Sequence, residues 1–254
     1  MVSRDTDPVS QAAHLLRQSR YPIALTGAGM STPSGIPDFR SSGTGLWEKV
    51  NPMEVASIYA FRRNPNAFYD WIRPLAGLVA DAKPNAGHLA LAKLEAHGYL
   101  EAIVTQNIDN LHQQAGSTEV LEVHGHLRSA TCMTCYRVQP ADGLIKAVLT
   151  TKDIPRCPHC GGVLKPNCVL FGEQLPASVF NAALAHVRSA DLMLVAGSSL
   201  EVTPVSQLPL RLLRRGGRLI VVNLTPTYAD DAADVVIHGN VADVLPRIAT
   251  ACQG

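Results

Sequence analysis

Short, nearly unbroken apolar runs recur along the chain: "PIALT" at 22–26, "EAIVT" at 101–105, "DLMLVA" at 191–196, "RLIVVN" at 218–223 and "DVVIHG" at 234–239. Runs without polar alternation suit strands buried on both faces, as in a parallel sheet. Between them the apolar positions take helical spacing, over 8–19, over "GHLALAKLEAHG" at 87–98 and over "PVSQLPLRLLRRGG" at 204–217. The end signals agree. Asp7 stands as an N-cap before Pro8, Thr203 stands likewise before Pro204, and Gly216-Gly217 closes that helix. Strands alternating with helices predict an α/β fold with a doubly wound, parallel, Rossmann-like sheet.

Two segments break the alternation. Residues 41–80 hold both tryptophans and read as helices without strands, and residues 126–168 hold five of the six cysteines. Both are expected to be insertions that together make a smaller lobe. The Rossmann-like domain is then 1–40, 81–125 and 169–254, and the small domain is the helical insertion 41–80 with the cysteine module 126–168. A ligand is expected in the crevice where the carboxyl ends of the strands face that lobe.

Composition narrows the function. The 254 residues are 46% hydrophobic, enough for a large domain carrying a small one. A net charge of +1 gives no electrostatic case for nucleic acid or an anionic membrane. The start "MVSRDTDPVS" lacks the apolar core of a secretory signal. No apolar run approaches the ~20 residues that span a bilayer. A compact, prokaryote-like cytoplasmic enzyme with no specific nucleic-acid partner and no membrane partner is expected.

The cysteine spacing carries the strongest chemical signal. Cys132/Cys135 and Cys157/Cys160 form two C-x-x-C pairs, the second followed by Gly161-Gly162. In a chain without a secretory signal this spacing points to a metal instead of a disulfide framework. Four thiolates close a zinc tetrahedron and leave no position for water or substrate, so the metal is structural.

The remaining motifs are weaker one by one. Gly27-Ala28-Gly29 follows a strand and suits close approach of backbone N–H groups to an anion, but the third glycine of the dinucleotide fingerprint is replaced by Thr32. An ordinary strand-to-helix turn fits these glycines too. In "TQNIDNLHQQAG" at 105–116, Gln106, Asn107 and Asp109 set two amides and a carboxylate at a strand end, suited to pairing with a carboxamide or, equally, to capping a helix. His124 before Gly125, Gly197 with its serines, and Asn223 at a strand end each also suit plain structural roles.

As an ordered set, "GAGMSTPSGIPDFR", "TQNIDNLH", "VHG", the two cysteine pairs, "VLFGE", "GSSLEV" and "VN" resemble the sirtuin family of NAD-dependent protein deacylases, of the prokaryote type, over nearly the whole chain. The resemblance implies that Gly27, Ala28, Gly29 and Ser31 cradle the NAD pyrophosphate, with Asp38, Phe39 and Arg40 in the loop over the nicotinamide ribose. It implies a nicotinamide pocket of Gln106, Asn107, Ile108 and Asp109, an adenosine site of Gly197, Ser198, Ser199 and Asn223 with Val241 near the adenine, and His124 as general base, with Asn107 also catalytic. Cys132, Cys135, Cys157 and Cys160 then hold one structural zinc. Acetyl-lysine proteins are expected to bind as an extended strand between "CVLFGE" and "SLEV", with Val169, Phe171 and Val202 lining the acyl channel.

The implied reaction is physically coherent. A neutral acyl-lysine enters an apolar tunnel that a charged lysine cannot enter cheaply. Its amide oxygen attacks the nicotinamide ribose, giving nicotinamide, O-acetyl-ADP-ribose and free lysine. Members that prefer succinyl or malonyl lysine resemble one another in a Tyr-x-x-Arg pair. In "NAFYDWIRPLAG" Tyr69 has Ile72 three places on and Arg73 one place late, rotated by ~100° on a helix. Acetyl or another uncharged acyl group is therefore expected. A hydride-transferring NAD oxidoreductase and a non-catalytic zinc-ribbon module are the alternatives; the missing third glycine argues against the first and the near-neutral charge against the second.

Overall fold

The computed structural model describes residues 7–38, 45, 50–141, 148–151 and 153–254; Phe39 and Arg40 lie outside the described residues. In chain order the strands are β1 (Pro22–Thr26), β2 (Ala102–Thr105), β3 (Val120–Glu122), β4 (Gly125–Cys132), β5 (Val138–Pro140), β6 (Leu164–Cys168), β7 (Leu192–Ala196), β8 (Arg218–Asn223) and β9 (Val235–His238). They divide between two compact units, one of Met1–Ser34, Lys83–Val123 and Ala177–Gly254, the other of Gly35–Ala82 and His124–Pro176.

The larger unit is built on a six-stranded sheet in the order β3-β2-β1-β7-β8-β9, every pairing parallel. Residues 22–26 of β1 lie opposite 192–196 of β7, and 23–26 lie opposite 102–105 of β2. All residues of β1, β2 and β7 are buried, which is why these runs are apolar without alternation. Helices Pro8–Gln18, Ala86–Ala96 and Val241–Ala251 pack on the sheet through Leu16, Leu91, Leu94, Leu245 and Ile248. Their starts are fixed by side-chain caps from Asp7, Asn85 and Asn240. Strand order runs outward in both directions from β1 and β7, so the chain continues to opposite sides of the sheet after these two strands, the switch point at whose carboxyl ends such sheets bind ligands.

Two local expectations are corrected. The helix expected from Pro204 begins instead at Leu208, after a 3-10 turn at Val205–Gln207, and Thr203 gives no cap. Pro209 is the proline that occupies the first helical turn, where its missing N–H costs nothing. The closing glycines act as expected, with Gly216 at φ 79° and the Gly217 N–H bonded to Leu212 O. Strand β3 was not anticipated; it is three residues long and pairs only at the sheet edge.

The smaller unit holds helices Pro52–Val55, Ile58–Arg63 and Pro65–Asp81 and a three-stranded antiparallel sheet, β5-β4-β6. Phe61, Phe68 and Tyr69 pack edge-on or tilted with ring centroids 5.2–6.1 Å apart. The Tyr69 hydroxyl donates to Leu164 O at 2.5 Å and ties the long helix to β6. Among the described residues no helix is long and apolar enough to cross a membrane.

Candidate functional site

The loops after β1 and β7 meet through glycine. A Cβ on Gly27 would lie 2.9 Å from the Ser198 side chain, one on Gly29 would lie 3.0 Å from Gly197 O, and one on Gly197 would lie 2.3 Å from Met30 N. Gly197 also takes φ 59°, and its N–H donates to Val222 O at 3.0 Å. Side chains are therefore excluded at these three glycine positions, a floor where the two loops pack closely. Gly197→Ala adds a left-handed backbone penalty to a clash with rigid backbone, so a loss of about 2–5 kcal/mol is expected. Thermal melting should show a fall of roughly 5–15 °C, with loss of nucleotide binding; a melting point unchanged from wild type would refute the close approach.

The loop after β2 joins the same floor. Asn107 Nδ2 donates to Gly27 O and to Ser31 Oγ, both at 3.0 Å, and Ser31 Oγ donates to Asp109 Oδ2 at 2.6 Å. Gln106 Nε2 donates to Ser198 Oγ at 3.0 Å, which links the β2 and β7 loops. Asp109 Oδ1 also accepts from Leu111 N at 2.9 Å, so this carboxylate starts the helix Leu111–Gln114 as well as facing Ser31. Burial raises the Asp109 pKa above the ordinary carboxyl value, opposed by the bonds from Ser31 and Leu111. Of the other positions singled out in the sequence, Ala28 and Ile108 are half-buried and Ser199 is exposed. Asn223 closes β8, donating from Nδ2 to Thr225 O at 2.8 Å, and buried Val241 opens its helix.

Beneath this loop lie residues that no sequence spacing singled out. Thr26 Oγ1 donates to Thr105 Oγ1 at 2.8 Å and lies 2.9 Å from His112 Nε2. The His88 and His112 rings meet edge to face with centroids 4.9 Å apart, both buried. Burial lowers the pKa of His88 to about 4 and that of His112 to about 3, the latter with a further contribution from His88. The unfolded chain takes up these protons near pH 6.5 while the folded one stays neutral, so stability rises with pH through this window and is lost as pH falls. Melting temperature should thus decline from pH 6.5 to 4.5, with a slope approaching about 1.4 kcal/mol per pH unit for each ring. Asp109, with its raised pKa, works in the opposite sense. Thermal melts of His88→Gln/His112→Gln should show a flattened slope; an unchanged one would discount the pair.

His124 lies in the smaller unit, one residue beyond Val123, whose N–H is bonded to Thr105 O at 3.0 Å. Its carbonyl accepts from Val169 N at 2.8 Å. The next residue must be glycine: Gly125 takes φ 75°, and a Cβ there would lie 2.0 Å from Asn167 O. Phe171 is pinned by its main chain, N–H to Ala56 O at 2.9 Å and O from Ile58 N at 3.0 Å, with its side chain exposed. Val169 is half-buried in this unit, as is Asp38, and Val202 is half-buried in the larger one. Tyr69 is buried and bonded as above, while Arg73 donates from Nε to Val148 O at 2.7 Å and from Nη1 to Asp70 at 2.9 Å.

The four cysteines at 132, 135, 157 and 160 converge, their sulfurs all within 4.8 Å of one another. Cys132 and Cys160 Sγ are 3.5 Å apart, Cys135 and Cys157 Sγ 3.7 Å apart. A tetrahedron with metal–sulfur distances of about 2.3 Å has edges of about 3.8 Å, so the set fits zinc. The Cys135 N–H, foremost, holds the Cys132 thiol down to about 6, with Thr134 N–H and the neighbouring thiols adding and burial opposing. Gly162 leaves the sulfur room, since a Cβ there would lie 2.8 Å from Cys132 Sγ.

Comparison with known proteins agrees over most of the chain. The Sir2 family model matches residues 27–204. The chain is similar to an NAD-dependent protein deacetylase of Caldivirga maquilingensis, 44% identical over 244 residues that cover 96% of this chain and 93% of the relative. Among solved structures it resembles a Sir2 enzyme with TM-score 0.92 at 41% identity, covering 97% of this chain and 98% of that one. It also resembles a Sir2 complex with deacetylated p53 peptide and 3'-O-acetyl ADP ribose, TM-score 0.89 at 40% identity over 94% and 96% of the two chains.

Proposed function

The chain belongs to the Sir2 family, and on that premise we propose how its residues share the work of an NAD-dependent protein-lysine deacetylase. The enzyme moves the acyl group of a modified lysine onto ADP-ribose, releasing nicotinamide, O-acetyl-ADP-ribose and free lysine. One observation carries the reading: the loops after β1, β2 and β7 interlock in a single unit through Asn107–Gly27, Asn107–Ser31, Ser31–Asp109 and Gln106–Ser198 bonds. A floor without side chains at Gly27, Gly29 and Gly197, bordered by amides and a carboxyl, fits a dinucleotide that presents a pyrophosphate and a carboxamide.

When bound, NAD supplies a nicotinamide–ribose bond whose cleavage opens the anomeric carbon to the acyl-lysine amide oxygen. Gly27, Ala28, Gly29 and Ser31 hold the pyrophosphate, and Asp38, Phe39 and Arg40 form the loop beyond them. Gln106, Asn107, Ile108 and Asp109 hold the carboxamide, and Gly197, Ser198, Ser199, Asn223 and Val241 hold the adenosine half. His124 takes a proton from a ribose hydroxyl at its imidazole nitrogen, and Asn107 orients the sugar. Cys132, Cys135, Cys157 and Cys160 hold one structural zinc ion and take no part in the chemistry. We assign nucleotide binding to the domain with the six-stranded sheet, and the zinc and helical insertions to the small domain.

The protein substrate is proposed to bind as an extended strand, its acyl-lysine lined by Val169, Phe171 and Val202. The exposed Phe171 side chain, on a main chain already fixed by Ala56 and Ile58, supports that role. An uncharged acyl group is favoured because the Tyr69 hydroxyl donates to Leu164 O and Arg73 is engaged with Val148 O and Asp70. A cytoplasmic location is proposed, supported by six cysteines all free of disulfides. The test is incubation with NAD and an acetyl-lysine peptide. Nicotinamide and deacetylated peptide should form in equal amounts; absorbance from reduced cofactor would overturn the reading in favour of hydride transfer.

A further inference from the structure

We propose that His112 is a positioning residue for Asn107, acting through the hydroxyls of Thr26 and Thr105. The proposal rests on the assignment of Asn107 to the nicotinamide site. Three buried side chains form the chain, with His112, Thr26 and Thr105 at 1%, 0% and 2% exposure. Its last link reaches Asn107 directly, whose main-chain N–H donates to Thr105 Oγ1 at 3.1 Å. The two hydrogens of the Asn107 amide go to Gly27 O and Ser31 Oγ. All three N–H bonds of this residue are thus committed, and the Oδ1 atom is the part of the amide with no partner among the described residues.

The three side chains are joined by two hydrogen bonds, Thr26 Oγ1 to Thr105 Oγ1 at 2.8 Å and Thr26 Oγ1 to His112 Nε2 at 2.9 Å, the donor in the second being set by the ring tautomer. The other nitrogen, Nδ1, is buried without a partner and the ring packs against His88. Deep burial keeps His112 neutral, so the ring remains in the chain as an uncharged partner of Thr26. Asn107 sits in a loop between β2 and the helix Leu111–Gln114. A loop residue that must orient a ligand gains its precision from supporting bonds of this kind.

A purely packing role for these residues makes a different prediction, which isosteric variants separate. Thr105→Val keeps the shape and removes the hydroxyl, while Thr105→Ser keeps the hydroxyl. With NAD and an acetyl-lysine peptide, Thr105→Val should lower the kcat of nicotinamide release by roughly 10- to 100-fold. The peptide KM should stay within about threefold of wild type, and Thr105→Ser should recover kcat to within about threefold. His112→Phe should show the same fall, and combining it with Thr105→Val should add little, because both cut one chain. If Thr105→Val folds poorly, Thr26→Val breaks the same chain one link earlier and is scored in the same way. A wild type active in this assay, with Thr105→Val or Thr26→Val within about twofold of it, overturns the proposal. So do losses that multiply in the double variant. A wild type that releases no nicotinamide overturns the functional reading itself, and this proposal with it.

Discussion

His124→Ala is expected to cut deacetylation by ~10²–10⁴-fold while leaving NAD affinity close to wild type. The size follows from the general-base role proposed for His124. Survival of NAD binding follows from where the contacts lie. The bonds that interlock the three loops are made by residues 27–109 and 198, none of them His124. The His124 carbonyl accepts from Val169 N, a main-chain bond that alanine retains. Calorimetric titration with NAD and a nicotinamide-release assay on the same preparation check both halves. Activity within tenfold of wild type would remove His124 from the chemistry; NAD affinity lost in parallel would make it a structural residue.

Loss of the metal should be the largest effect on stability. Among the described residues the core around the cysteine cluster comprises Ala130, Cys132, Cys157 and Leu164, with Cys135 against it. Structural zinc contributes on the order of 10–16 kcal/mol of folding free energy in small zinc modules, comparable to the whole stability of a domain, about 5–15 kcal/mol. Cys157→Ser should therefore yield protein without stoichiometric zinc, with its smaller unit unfolded and no deacetylase activity. The larger unit keeps a separate core, from Val9 and Leu16 to Leu245 and Ile248, and should melt as a distinct later transition. Metal analysis beside calorimetric melts tests this. A zinc-free variant with a single wild-type transition would show that the four thiolates are dispensable.

How far these features were legible in the sequence depended on how local their causes are. Strands β1, β2, β7 and β8 announce themselves because burial on both faces demands continuous apolar runs, and edge strand β9 keeps an apolar run although only Val235 is fully buried. The cysteine tetrahedron was legible because metal geometry imposes fixed short spacings. Edge strand β3 was hidden because three residues at a sheet margin carry no pattern. The start at Leu208 was missed because two prolines, Pro204 and Pro209, offered rival first turns and only tertiary packing chose between them. The interlocking amides could be named from their resemblance to a family, yet their mutual bonds depend on strand register. Thr26, Thr105, His88 and His112 stayed invisible for a related reason. Each lies at the end of an apolar run or on a helix, and nothing in the spacing of residues 26, 88, 105 and 112 tells that the parallel register brings them together.

Strand β4 begins at Gly125, the neighbour of His124, and ends at Cys132. His124 and the Cys132 thiol thus flank opposite ends of one pleated strut, roughly 25 Å long. Oxidants or chelators that attack the thiolates would disarm the imidazole from a distance while leaving the nucleotide floor intact. Inhibition of that kind should be insensitive to added NAD, giving the enzyme an Achilles heel remote from its substrate.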